Sequence, residues 1–99
     1  MSKSIKKYAY CIEFGHKEKS SCYYIGQTSN FKNRLEDHAH GKGSVWTKHL
    51  LKKDQGFKIV KSGVIGEISN SLEEDHITEK YMMLYGGKNF EFVRGGTYT

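Results

Sequence analysis

The 99-residue sequence has few cysteines, no long hydrophobic run and no internal repeat. Cys11 and Cys22 are too few for a disulfide framework. Their predicted strands are neighbours, which leaves a cross-strand bridge sterically open, but the lack of a secretory signal favours reduced, buried thiols. No segment approaches the roughly 20 apolar residues that cross a bilayer. We therefore expect an intracellular, soluble protein with a single domain over residues 1–99.

The charge balance is basic, because 16 Lys and Arg face 11 Asp and Glu, and the net charge is +5. A basic chain favours a polyanionic partner, since each phosphate that a cation neutralises releases condensed counterions. Many small proteins are mildly basic, however, and charge determines association rather than fold or chemistry. The charge alone therefore leaves nucleic acid as one candidate partner among others.

Hydrophobic periodicity predicts an α/β fold with a small, mostly antiparallel, three-stranded central sheet flanked by helices. Alternating residues predict strands over 7–14, 22–26 and 57–61, the last extended over 64–68 after a bend or bulge at Gly63. The short polar connection between the first two strands leaves no room for a crossover helix, so these strands should pair antiparallel.

Three helices are predicted, over residues 30–40, 44–53 and 72–85. Thr28, Ser29 and Asn30 are candidate caps for the first helix, because their side-chain oxygens can accept its free N–H groups. Ser71 and Glu74 have the spacing of a capping box at the start of the third helix. The acidic residues at this helix start are expected to lie on a solvated face: Glu73, Glu74 and Asp75.

The segment from Cys22 to His38 combines a short aromatic strand, a glycine turn and the start of the first helix. Gly26 allows another group to approach the backbone closely. Arg34 and His38 share a helix face, so a guanidinium and an imidazole should converge with the Tyr24 phenol beside the turn. A tyrosine on a strand more often serves packing, however, and an arginine on a helix can form a surface ion pair.

These residues resemble the GIY-YIG nuclease domain. The triplet Tyr24-Ile25-Gly26 matches the second of the family's two signature triplets, and Tyr8-Ala9-Tyr10 matches the first in its last residue only. Further residues that resemble the family are Arg34, His38, Glu79 and the tail Val93-Arg94-Gly95-Gly96. The resemblance spans nearly the whole chain and implies a metal-dependent endonuclease, a phosphodiester hydrolase that cleaves DNA.

The resemblance also implies a role for each matched residue. Tyr10 is expected to help activate the attacking water, and Tyr24 is expected to position water or phosphate. Arg34 is expected to stabilise charge on the phosphate in the transition state. His38, which can move a proton near neutral pH, is expected to be linked to the tyrosine pair.

The resemblance assigns the metal to the glutamate of the last helix, for which Glu79 fits best by its distance from the capping box. One carboxylate together with phosphate oxygens can hold Mg²⁺ or Mn²⁺, although a helical glutamate without that resemblance is usually solvated. Asn89 is a candidate active-site residue, because the family often places an asparagine after this helix. A zinc site is the rival interpretation, but its residues show no Cys-x-x-Cys and no usual paired-histidine spacing. The candidate zinc ligands are Cys11, Cys22, His38, His40 and His49.

Basic and aromatic side chains are expected to contact DNA around this site: Lys32, Lys42, Trp46, Lys48 and Arg94. Phosphate contacts position a protein but read no sequence, and no recognition helix or finger motif is evident. Sequence specificity would then be weak, or it would come from a homodimer or a partner recognition subunit. Two alternatives stay open: a non-catalytic nucleic-acid-binding module that retains the fold, and a nuclease subunit active only within a larger assembly.

Overall fold

A four-stranded mixed sheet with helices on both faces forms the framework of the protein in the computed structural model, which describes residues 6–86 and 92–95. The strands are β1 (Lys7–Gly15), β2 (Cys22–Thr28), β3 (Lys58–Ile68) and β4 (Val93–Gly95). The helices are α1 (Phe31–Ala39), α2 (Val45–Leu50) and α3 (Ser71–Tyr85). The predicted α/β class is confirmed. No helix within these described ranges has the length and apolar character needed to cross a membrane.

The strand order is β3-β1-β2-β4, so β1 and β2 are the inner strands. β1 pairs antiparallel with both β2 and β3, as the short connection between the first two strands predicted. β4 pairs in parallel with β2, and Val93 at its start is fully buried. The expectation of three strands is therefore wrong by one, because a strand of three residues is too short to show a period-two pattern.

β3 runs without interruption past Gly63, where the sequence predicted a bend or bulge. Gly63 pairs regularly with Cys11, and the extra residues that shift the register are Val60 and Ile65. The predicted position of the irregularity is therefore wrong. Glycine permits a bulge but does not require one, and the register depends on which side chains fit the buried face.

The main core lies between the sheet and the short helices α1 and α2. Tyr10, Ile12 and Phe14 alternate along β1, face this side and are fully buried. Burial of a large apolar side chain contributes about 1.5–3 kcal/mol relative to exposure. Cys22 lies on this same face, whereas Cys11 faces the opposite side of the sheet, so the two cysteines cannot form the cross-strand bridge.

The starts of α1 and α2 follow from their caps. Asn30 caps α1 by accepting a hydrogen bond from the Asn33 N–H, and Ser44 caps α2 by accepting one from the Thr47 N–H. α2 ends at Leu50 rather than at the predicted residue 53, because the chain turns immediately afterwards.

α3 begins one residue earlier than the sequence predicted. Its N-cap is Asn70, and the capping box is completed by Glu73, so the predicted box of Ser71 and Glu74 is wrong by one position. The Glu73 side chain folds back and accepts hydrogen bonds from the backbone N–H groups of Ser69 and Asn70, whereas Glu74 is buried. Glu74 is only 5% exposed, and the expectation that it lies on a solvated face is therefore also wrong.

Candidate active site

The candidate site is built on the β1–β2 hairpin, where Tyr10 lies opposite Gly26. A Cβ at residue 26 would overlap the Tyr10 ring and hydroxyl, so glycine is what leaves room for the phenol over this strand. Tyr24 faces the same side, and its ring centroid lies 6.3 Å from that of Tyr10. The close approach to the Gly26 backbone is therefore made by the Tyr10 phenol.

The Tyr10 hydroxyl connects the hairpin to α1. Arg34 Nε donates a hydrogen bond to this hydroxyl at 3.3 Å, and His38 Nε2 lies 2.9 Å from it. Arg34 and His38 are one helical turn apart, so both side chains project from the same face of α1. The His38 ring centroid also lies 5.0 Å from that of Tyr24. The structure thus brings together two phenols, a guanidinium and an imidazole.

Both phenols are neutral at neutral pH. Burial raises the pKa of Tyr10 to about 12, although the hydrogen bond from Arg34 acts in the opposite direction. Burial also raises the pKa of Tyr24, against the positive charge of Arg34. Tyr10 can therefore accept a proton from water only if its own proton moves to a neighbour.

His38 is the neighbour that can take that proton. The ring is fully buried, and burial together with the charge of Arg34 lowers its pKa to about 4, while the charge of Asp37 acts in the opposite direction. The imidazole is therefore neutral at neutral pH and has one nitrogen free to accept. Its second nitrogen, Nδ1, lies 3.1 Å from Thr47 Oγ1.

Arg34 brings a permanent positive charge into the site. Burial acts to lower its pKa, but the hydrogen bond to Tyr10 and the nearby acidic groups outweigh burial and raise the pKa. The partly buried guanidinium has planar, paired donors whose geometry matches phosphate oxygens. The arrangement therefore combines a proton-transfer pair with a fixed cation.

The buried carboxylate of α3 belongs to Glu74, and Glu79 is turned away from the site. The negative charge of Glu74 acts to raise the pKa of both Tyr10 and Tyr24. Glu79 is exposed, and it is not among the main charges that shift the pKa of Tyr10, Tyr24, Arg34 or His38. Glu79 follows Glu74 by five residues. At about 100° per residue, this separation is one full turn plus about 140° around the helix axis. The structure thus places Glu74, rather than the predicted Glu79, as the carboxylate of α3 next to the site groups.

A single carboxylate fits a hard divalent cation that completes its coordination with water and phosphate oxygens. In the described part of the chain, no group of three or more histidine, cysteine, aspartate or glutamate side chains is arranged to hold a metal ion. The rival zinc interpretation has its two cysteines on opposite faces of the sheet. His38 already contacts Tyr10 and Thr47, and His40 and His49 are exposed. The proposed zinc ligands therefore do not converge.

Residues 6–84 of the chain match the family model of the GIY-YIG catalytic domain. The chain belongs to the GIY-YIG family. This is a family of nucleases, so the assignment places the protein among phosphodiester hydrolases at the family level. The search of curated proteins and the search of solved structures returned no match.

The side chains predicted to contact DNA lie in two settings around the GIY-YIG site. The Trp46 ring centroid is 6.4 Å from that of Tyr24, and the guanidinium carbon of Arg94 lies 5.7 Å from the Trp46 ring. Arg94 comes from β4, so the C-terminal strand contributes to the rim of the site. The predicted lysines are exposed: Lys32, Lys42 and Lys48. Asn89 lies outside the described residues.

Three buried polar residues in the described part of the GIY-YIG domain were not among the predicted site residues. Glu74 and Thr78 are four residues apart on α3 and are both buried. This spacing places them on the same face of the helix, which was the signal in the sequence for Glu74. Thr47 is fully buried beside His38. Its spacing from Ser44 signals a helix start, but nothing local to the sequence signals its contact with a histidine on another helix.

Proposed function

We propose that this GIY-YIG domain is a metal-dependent endonuclease that hydrolyses phosphodiester bonds in DNA. The observation that carries the proposal is the Tyr10 hydroxyl, which contacts a permanent cation, Arg34, and a neutral imidazole, His38. A hydroxyl in this setting can take a proton from water and pass its own proton on, beside a charge that attracts phosphate.

Water activation follows from the protonation states of Tyr10 and His38. The attacking water gives a proton to the phenolic oxygen, while the phenolic proton passes to His38 Nε2 across their 2.9 Å contact. The water oxygen forms its bond to phosphorus, and the bond between phosphorus and the leaving oxygen breaks with its electron pair on that oxygen, which takes a proton from solvent. His38 then holds the proton briefly as an imidazolium, because burial and the charge of Arg34 disfavour this form and only the nearby charge of Asp37 favours it.

Arg34 and Tyr24 act on the phosphate. The guanidinium keeps its charge at any working pH and offsets the negative charge that grows on the phosphorus oxygens. Tyr24 stays a neutral phenol and can donate a hydrogen bond to phosphate or water. Removal of one such preorganised donor typically costs about 10²–10³-fold in rate.

Glu74 is the residue that would hold the divalent cation. Mg²⁺ or Mn²⁺ bound there supplies positive charge to the phosphate and the leaving oxygen. The burial of Glu74 and its effect on both tyrosines support this role. Glu73 performs the capping task at the same helix end, so Glu74 is not needed there.

DNA would bind over the side of the sheet that carries α1 and α2. The exposed lysines on and beside these helices suit contacts with the phosphate backbone, which make binding salt-dependent without reading sequence. Trp46 and Arg94 offer an aromatic face and a cation next to Tyr24. Whether the domain acts as a free monomer, a homodimer or a subunit is tested by the mass of the active species.

Nicking of supercoiled plasmid with Mg²⁺ or Mn²⁺ tests the proposal, with Glu74→Gln compared with Glu79→Gln. Glu74→Gln keeps the side-chain volume and removes the charge, and we expect it to lower the nicking rate by about 10²-fold or more. Glu79→Gln makes the same change on the exposed face of α3 and should cleave like the wild type. EDTA should abolish cleavage by the wild type.

Equal nicking rates in the two glutamate variants would reject Glu74 as the metal residue. Intact plasmid with every metal would reject the nuclease proposal itself. If such an inactive protein bound DNA in a salt-dependent and EDTA-insensitive way, the result would support the alternative of a non-catalytic nucleic-acid-binding module. The divergent first triplet, Tyr8-Ala9-Tyr10, is the observation that favours that alternative.

A further inference from the structure

The hydroxyl of Thr47 is the centre of a hydrogen-bond network behind His38. Thr47 Oγ1 lies 3.1 Å from His38 Nδ1, 3.1 Å from the carbonyl oxygen of Ser44 and 3.2 Å from Ser44 Oγ. Thr47 and His38 are both fully buried. Gly43 packs directly against this side of the ring, where a Cβ would overlap Nδ1. Thr47 is therefore the hydrogen-bond partner of Nδ1 within the described residues.

The available protons determine the direction of each bond in this network. A carbonyl oxygen can only accept, so the single hydroxyl proton of Thr47 is donated to the Ser44 carbonyl. The lone pairs of Thr47 Oγ1 are then free to accept from Ser44 Oγ–H and from His38 Nδ1–H. If Thr47 donated to Nδ1 instead, its oxygen and the Ser44 carbonyl would face each other without a proton between them.

We infer that Thr47 is a positioning residue that keeps His38 in the tautomer with its proton on Nδ1. The free lone pair is then on Nε2, which lies 2.9 Å from the Tyr10 hydroxyl. Tyr10 already accepts from Arg34 Nε, so its own proton is available to donate to Nε2. In the other tautomer Nε2 would carry a proton and could not accept the one from Tyr10.

The tautomer is a property of the folded chain, whereas its effect on the rate rests on the proposed function. His38 is neutral at neutral pH because its pKa is lowered to about 4, so two neutral tautomers compete. The charged and titratable groups around the ring are Arg34 and Asp37 on α1, Tyr10 on β1 and Tyr24 on β2. None of these groups contacts Nδ1, where Thr47 is the partner, and the Tyr10 contact at Nε2 favours the same tautomer when Tyr10 donates.

Long-range ¹H–¹⁵N correlation spectra show which ring nitrogen carries the proton, and His38→Gln identifies the His38 signals among the five histidines. Near neutral pH, wild-type His38 should be protonated on Nδ1 and unprotonated on Nε2. Thr47→Ser keeps the hydroxyl and should give the same pattern. Thr47→Val keeps the shape without the hydroxyl and should move part of the population to the Nε2–H tautomer.

A wild-type ring protonated on Nε2 would overturn the inference, and so would a Thr47→Val ring that keeps the wild-type pattern. The wild-type spectrum requires no substitution, so this result is decisive even if Thr47→Val does not fold. Thermal unfolding of both Thr47 variants shows whether each retains the native structure.

Plasmid nicking measures the catalytic consequence. Thr47→Val should lower kcat by about 10²-fold, the lower end of what a positioned proton acceptor contributes, and should change KM by less than about twofold. Thr47→Ser should restore most of the lost rate. A folded Thr47→Val protein with wild-type kcat would overturn the positioning role. If the wild type cleaves no DNA, the proposed function fails, and the spectra still decide the tautomer.

Discussion

Acidification tests the buried state of His38 directly. In the folded protein, burial and the charge of Arg34 lower the pKa of His38 from 6.5 to about 4. In the unfolded chain the imidazole lies in water, so between these two pH values the unfolded state binds one proton more than the folded state. The stability that depends on neutral His38 is therefore complete above about pH 6.5 and is lost as the pH falls toward 4.

The size of this loss follows from the two pKa values. The gap between 6.5 and about 4 corresponds to about 3 kcal/mol of unfolding free energy, because a tenfold change in proton affinity corresponds to about 1.4 kcal/mol. The slope cannot exceed that of one proton, about 1.4 kcal/mol per pH unit. Since a small domain has about 5–15 kcal/mol of stability in total, such a loss is readily measured.

Urea unfolding at pH values between about 4 and 8 measures the effect in the wild type and in His38→Gln. Trp46 is the single tryptophan, and its ring lies beside Tyr24, so its fluorescence reports on the packing of the site. Glutamine does not titrate, and the carboxylates titrate in both proteins, so the wild type should lose about 3 kcal/mol more than the variant. His76→Gln removes an exposed histidine from α3 and should follow the wild-type profile.

Parallel profiles for the wild type and His38→Gln would refute the reasoning about the buried ring. If the wild type gained stability on acidification relative to the variant, the direction of the pKa shift would be refuted. Such a gain would mean that the folded protein binds the proton more tightly than the unfolded chain does.

Two further pairs of substitutions test how the site is supported. Gly26→Ala should lower the free energy of unfolding by about 1–3 kcal/mol, because the added Cβ must displace the Tyr10 phenol. Gly63→Ala adds a Cβ with no neighbour within 4 Å, so it should change the free energy of unfolding, measured in urea, by less than about 0.5 kcal/mol. Asn70→Ala should cost about 1 kcal/mol by removing the N-cap of α3, and Ser71→Ala should cost less. The reverse order in thermal unfolding would contradict the cap at Asn70.

Several features of this fold could be predicted because they depend on residues that are close in sequence. Alternation along residues 7–14 predicted β1, since burial on one face of a strand repeats every two residues. The spacing of Arg34 and His38 predicted a shared helix face, because residues four apart lie on the same side of an α-helix. The triplet Tyr24-Ile25-Gly26 supported the family, and the family model covers this part of the chain.

Other features could not be predicted, because they depend on contacts between distant segments. Glu73, Glu74 and Glu79 are chemically alike and share one helix, and the packing of that helix decides which of them turns inward. The pairing of β4 with β2 joins segments about 70 residues apart, with only three residues in the shorter strand. No local pattern reports such a pairing.

The sequence by itself determined the α/β class and the antiparallel hairpin, and it predicted that Tyr24, Arg34 and His38 lie close together. Only the tertiary structure decided that Glu74 is the buried carboxylate and that Thr47 is the partner of His38 Nδ1. The physical reason is that periodicity and capping act over a few residues, whereas the depth of a carboxylate and the partner of a buried imidazole depend on how separate elements pack.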